Sequence, residues 1–170
     1  MMKTQALRMP GERVPAFWKK AFFWIVFSLA AGGLSAWLTR DGLVRFETVR
    51  KPPLTPPRIV FPIAWTVLLF MIGLGYAIIR ERTAGTAARD TATTVFAVQM
   101  VFFFCWMIWF FGLGWYGFAA VWLVGMIISI GVMVNFYRKI SPAAAWLQVP
   151  YLIWCCFALY LNLGIWVLNK

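Results

Sequence analysis

The stretch "KPPLTPPRIVFPIAWTVLLFMIG", Lys51 to Gly73, sets a cluster of prolines against the start of a long charge-free run. Proline fixes φ at about −65° and restrains the residue before it, so no helix passes through Pro52, Pro53, Pro56 and Pro57. The run behind them, Ile59 to Ile79, carries no charge and has the length of about 20 residues that a helix needs to cross a bilayer. The reading is a stiff extended connector feeding a membrane span.

Working outward, further charge-free windows run from Ala21 to Thr39, from Thr91 to Tyr137 and from Ile140 to Asn169. The window from Thr91 is too long for one span and holds "GLGWYG", Gly112 to Gly117, near its middle. Split there, the chain has five spans, near 21–39, 59–79, 92–111, 116–137 and 147–168. Pro142 in "RKISPAAAW" suits the opening of the last helix. With 63% hydrophobic and only 12% charged residues, the composition matches the pattern, because soluble domains keep about 25% charge. The expected fold is an all-α membrane protein, a single five-helix bundle over residues 1–170, with 40–58 as its long loop.

Basic residues suggest an orientation. Lys3, Arg8, Arg13, Lys19, Lys20, Arg80, Arg82, Arg89, Arg138 and Lys139 fall on one side, against Arg40, Arg45, Arg50, Lys51, Arg58 and Lys170 on the other. The excess of ten over six puts the N-terminus in the cytoplasm and the proline loop outside. The net charge of +11 belongs to these flanks and not to a basic face of a soluble module, so nucleic acid is not an expected partner.

Several chemistries are excluded. The chain has no histidine, the commonest general base and metal ligand. Glu12, Asp41, Glu47, Glu81 and Asp90 all lie outside the spans, whereas proton-coupled transporters keep ionisable groups inside the membrane. Cys105, Cys155 and Cys156 read as small apolar packers. No metal site and no required cofactor are expected.

What remains is aromatic, with eleven tryptophans in 170 residues. Many suit an interfacial belt, but Trp65, Trp106 and Trp154 lie well inside spans. Gln99, Phe103, Trp106 and Phe110 step by four, three and four and share one helix face; Trp154, Ala158 and Leu161 do so on the fifth span, and Phe61, Trp65 and Leu68 on the second. Such a stripe is either core packing or the wall of a neutral cavity for a flat apolar ligand. Ser28, Gly32 and Ala36, in "SLAAGGLSA", have the small-xxx-small spacing that permits close helix approach, read as a homodimer contact in preference to packing within the chain.

Three blocks resemble the translocator protein family, the tryptophan-rich sensory proteins called TspO/MBR. The proline stretch supplies Lys51, Pro52, Pro56, Pro57, Phe61, Trp65, Thr66 and Gly73; "QMVFFFCWMIWFFG" supplies Gln99, Trp106, Phe110, Phe111 and Gly112; "VPYLIWCCFALYLN" supplies Pro150, Tyr151, Trp154, Ala158, Leu161 and Asn162. The chain departs from the family pattern at Phe103, where asparagine is usual, at Arg45-Phe46, where Trp-Tyr is usual, and at Trp122, where some members carry an acid. The Phe103 departure implies a drier and tighter cavity.

The resemblance implies that loop 40–58, with Lys51, Pro52, Pro56 and Pro57, is the lid of a cavity between the helices. Its wall would include Phe46, Phe61, Trp65, Gln99, Phe103, Trp106, Phe110, Phe118, Trp154, Ala158, Leu161 and Asn162. The implied ligand is a porphyrin, protoporphyrin IX or haem, and the implied role is tetrapyrrole sensing, transport or light-dependent degradation, the last through Trp65 and Trp154. A sterol or lipid carrier without chemistry is the alternative. The membrane expected is a bacterial inner membrane.

Overall fold

A computed structural model describes residues 13–170. The five spans are present as helices long and apolar enough to cross a membrane, Phe17–Leu38, Val60–Arg82, Ala88–Gly112, Tyr116–Ile140 and Pro142–Leu168. The basic residues Lys3 and Arg8 and the acidic Glu12 lie outside the described residues.

Helix α1 (Arg13–Leu38) is followed by a short helix α2 (Arg40–Arg45), then the proline loop, then α3 (Val60–Arg82) and α4 (Ala88–Met107). A single π-helical turn, Ile108–Gly112, ends the third span. Then come α5 (Tyr116–Ile140), the short α6 (Pro142–Trp146) and α7 (Val149–Leu168). The first four spans run beyond their charge-free windows because end charges are accommodated on the helix. Asp90 sits in the first turn of α4 and Arg138 and Lys139 in the last turn of α5, each facing the helix-dipole end of opposite sign. Arg80 lies over the Trp24 ring, 4.8 Å from its centroid, and donates to the Tyr76 hydroxyl at 3.2 Å.

The last span bends at Leu147–Gln148. Ser141 caps α6, accepting from the Ala144 amide at 3.4 Å, and Pro142 occupies the first turn as expected. Pro150 then lacks the amide that would continue α6 and its ring opposes the carbonyl four residues back, so the helix restarts as α7.

The proline loop departs from the extended connector expected. It turns at Pro53–Leu54, and Leu54 takes a φ of 66°, the left-handed value that a type II turn demands of its third residue. A leucine there costs roughly 1–2 kcal/mol. Three contacts hold the turn. Thr55 Oγ1 donates to the Pro52 carbonyl at 2.7 Å, Tyr160 donates to the Pro53 carbonyl at 2.9 Å, and Pro52 fits so closely to α7 that a Cβ on Gly164 would lie 2.6 Å from its ring. Next to it, the Arg50 amide donates to Asn169 Oδ1 at 2.9 Å while Asn169 Nδ2 donates back to the Arg50 carbonyl at 2.8 Å. The loop is thereby tied to the end of the last helix.

Helices α1 and α3 approach closely. A Cβ on Gly73 would lie 2.6 Å from the Trp24 carbonyl oxygen and 2.7 Å from the Ile25 Cα, and one on Gly32 would collide with Leu69. Ser28 is fully buried and donates to the Trp24 carbonyl at 3.0 Å. Ser28 and Gly32 of the small-residue stripe therefore pack within the chain, against the turn before and against Leu69 of α3.

In the core, the buried amides of Gln99 and Asn162 find partners, as hydrocarbon favours. Gln99 donates to the Tyr151 hydroxyl at 2.6 Å and accepts from Ser129 at 2.5 Å. Trp106 Nε1 donates to Asn162 Oδ1 at 3.3 Å, and Asn162 Nδ2 donates to the Tyr116 carbonyl at 2.7 Å.

Candidate functional site

The sequence of α1 clears space near the loop. Gly33 has nothing within 4 Å of where a Cβ would stand, and Gly32 and Ala36 bring no bulk to the same region. Between them, the start of α3 and the proline loop lies a cavity of about 800 Å³. Leu29 of α1 and Leu69 of α3 narrow it, Phe103, Met107 and Phe111 form its floor, and Phe46, Phe61 and Trp65 its aromatic wall. Pro56, Pro57 and Thr55 of the loop border it, and its charged residues, Glu47, Lys51 and Arg58, come from the same loop.

The floor depends on the π-helical turn. One extra residue in that turn lets Phe110 and Phe111 both bury, Phe110 stacked on Trp106 at 5.3 Å and Phe111 reaching the cavity. Helix α2 rests on it, since a Cβ on Gly42 would collide with the Phe111 carbonyl, and Arg45 donates to the Gly112 carbonyl at 2.5 Å. A cation there satisfies a carbonyl at the negative end of the helix.

Trp65 is 8% exposed and is the only tryptophan lining the cavity. Its ring meets Phe103 at 4.9 Å, Trp106 at 5.7 Å, Tyr151 at 6.2 Å and Trp154 at 6.4 Å. Of the residues singled out from sequence, Phe46, Lys51, Pro56, Pro57, Phe61, Trp65 and Phe103 border the cavity. Gln99, Trp106, Phe110, Ala158, Leu161 and Asn162 are buried and do not line the cavity; Trp106 packs on Trp65 and Phe110 on Phe46. Trp154 packs on Phe61 at 6.1 Å, with its Nε1 buried and without a hydrogen-bond partner. Pro52 is turned to Gly164, away from the cavity. Phe118 stands on the outer surface, 48% exposed, against Trp109 and Trp122. The lining residues that sequence reasoning missed are chiefly those of α1, whose small side chains had been read as a helix contact.

A family model described as the TspO/MBR family matches residues 24–167. The chain belongs to this family. Among its relatives, Tryptophan-rich protein TspO of Chlorobaculum tepidum is 34% identical over 128 residues, 73% of this chain and 78% of that protein. Translocator protein of Ovis aries is 31% identical over 134 residues, 76% of this chain and 78% of its own. Tryptophan-rich protein TspO of Archaeoglobus fulgidus is 34% identical over 146 residues, covering 85% and 94% respectively. As a TspO/MBR member with five membrane-length helices, the chain is an integral, multi-pass membrane protein.

Chemically, the cavity offers burial and stacking. The groups in its depth are aromatic rings, aliphatic chains, the Met107 thioether and the Thr66 hydroxyl, which is itself bonded to the Pro62 carbonyl at 2.8 Å. No group there acts as an acid or base near neutral pH.

Proposed function

We propose that this protein binds a flat, apolar ligand of the porphyrin class in the cavity beneath the proline loop, with loop 40–58 as its lid, and serves tetrapyrrole sensing or transport. The observation that carries this reading is the aromatic wall of Phe46, Phe61, Trp65 and Phe103 around about 800 Å³, within the range of roughly 300–1,000 Å³ typical of small-molecule sites. The names of relatives, a translocator protein and a tryptophan-rich sensory protein, agree with it. Free-base protoporphyrin IX fits better than haem, because the chain has no histidine and, among the described residues, Met107 is the only sulfur lining the cavity.

Light-dependent breakdown belongs to the same proposal. Trp65 would give one electron to the photoexcited ring, leaving an indole radical cation and a porphyrin radical anion, with Trp154 6.4 Å behind as a second donor and dissolved dioxygen as the oxidant that ring opening consumes. The orientation proposed has the loop outside and the N-terminus cytoplasmic, in a bacterial inner membrane.

The test is quenching of tryptophan fluorescence by protoporphyrin IX in the dark. Saturable quenching that weakens in Trp65→Phe supports the site; linear, unsaturable quenching overturns it. Under illumination, Trp65→Phe should lose porphyrin turnover while still binding. The second reading, a sterol or lipid carrier without chemistry, rests on the neutral Thr55 and Thr66 hydroxyls lining the same space. A sterol that displaces porphyrin while no illuminated turnover occurs would favour it.

A further inference from the structure

The charges around the cavity are not equivalent. Arg58 is paired with the Glu47 carboxylate, which neutralises the one acid that would repel an anion. Lys51 has no carboxylate within ion-pair reach among the described residues. Its ammonium donates to the Glu47 backbone carbonyl at 3.1 Å and sits 5.0 Å from the centroid of Phe46. An ammonium has three donors, so two remain for a ligand or water. Phe46 is itself part of the cavity wall, which puts the spare charge at the edge of the apolar space.

The backbone holds that charge in place. Arg50, before Lys51, is clamped to Asn169 by two hydrogen bonds, and Pro52, after it, is wedged against Gly164. A lysine fixed on both sides, beside an aromatic cavity, is placed to meet an anionic group on the rim of whatever fills that cavity.

We infer that Lys51 anchors an oxyanion carried at the edge of the bound ligand, so that the cavity selects apolar bodies bearing a carboxylate or phosphate over neutral molecules of the same shape. The inference rests on the binding role proposed for the cavity and names the feature by which it chooses. A charge-assisted hydrogen bond to an oxyanion is roughly twice as strong as one to a neutral acceptor. A sterol, with a hydroxyl alone, gains little from Lys51.

Two probes of one shape separate the ideas: protoporphyrin IX, a dicarboxylic acid, and its neutral dimethyl ester, both titrated by fluorescence quenching in uncharged detergent. The acid should bind about fivefold tighter than the ester, and the margin should shrink as salt is raised. Lys51→Gln should abolish the margin with the ester Kd unchanged, and Lys51→Arg should keep it. The unchanged ester Kd also reports an intact fold. Added phosphatidylglycerol that displaces the acid through Lys51 identifies a lipid phosphate as the competing natural oxyanion; no displacement assigns the anchor to the ligand's own carboxylate. Equal binding of acid and ester, or equal weakening of both in Lys51→Gln, overturns the inference and leaves the binding role standing. Failure of both probes to bind removes the binding role and the inference together.

Discussion

The two ends of the bundle are built from the same kinds of residue and pack in opposite ways. At the end away from the proline loop, Tyr76 and Phe96 stack with centroids 4.0 Å apart and planes 5° from parallel, and Trp24 meets Tyr76 edge-on at 4.7 Å. Ile79, Ala92, Met133 and Tyr137 around them are wholly buried. At the loop end, Phe46 meets Phe61 at 6.2 Å and Trp65 meets Phe103 at 4.9 Å, with no parallel stack, around an open volume. Aromatic content does not decide which end is hollow. Small residues do, and in two different ways: Gly73 is filled by the backbone of α1, whereas Gly33 faces open space. A glycine that lets helices touch closes one end; a glycine that nothing approaches leaves room at the other.

The comparison breaks most directly at its closed end. Tyr76→Ala should cost about 3–5 kcal/mol, because it leaves a hole where two stacked rings and the Thr93 contact at 2.9 Å had been. Thermal unfolding in detergent checks this, and a melting point near wild type would mean that the far end is no tighter than the loop end. Trp65→Ala should cost less than Tyr76→Ala, since one side of its ring already faces empty volume.

Gly73→Ala comes next, at roughly 1–3 kcal/mol of overpacking, because the atoms it meets are backbone and cannot swing aside. Its counterpart sharpens the contrast. Gly33→Leu should leave stability within about 0.5 kcal/mol while weakening porphyrin binding, because the new side chain enters the cavity. If Gly33→Leu binds as well as wild type, the ligand lies elsewhere.

Asn162→Ala tests the support behind the wall. It strips the acceptor from Trp106 Nε1 and should cost about 1–3 kcal/mol, with the loss read by unfolding and a smaller fall in affinity as Trp106 loosens against Trp65. An unchanged affinity would show that Trp65 holds its position without that support.

Much of this was readable from the chain. The five spans followed from where charges stop, and Phe46, Phe61, Trp65 and Phe103 were marked for the site from motif and spacing. The features missed share a physical cause. In a bilayer the solvent is as apolar as the core, so a helix loses the two-faced pattern that tells inside from outside. Phe118 points out and Phe110 points in, yet both stand in uninterrupted apolar sequence. The run "FFFCWMIWFFG" gives no periodic hint of the π-helical turn for the same reason. In "SLAAGGLSA" the spacing marks small residues without saying whether a neighbour or a void lies opposite, and the structure contains both cases, Gly32 against Leu69 and Gly33 against nothing.

The clamp between Arg50 and Asn169 joins residues 119 positions apart. A chain made from its N-terminus has the cavity's floor and walls in hand well before it has Tyr160, Gly164 and Asn169, the groups that hold the loop down. The roof is thus completed last, by the final turns of α7, and a chain cut short by a handful of residues should insert all five helices and still stand open to the water above it.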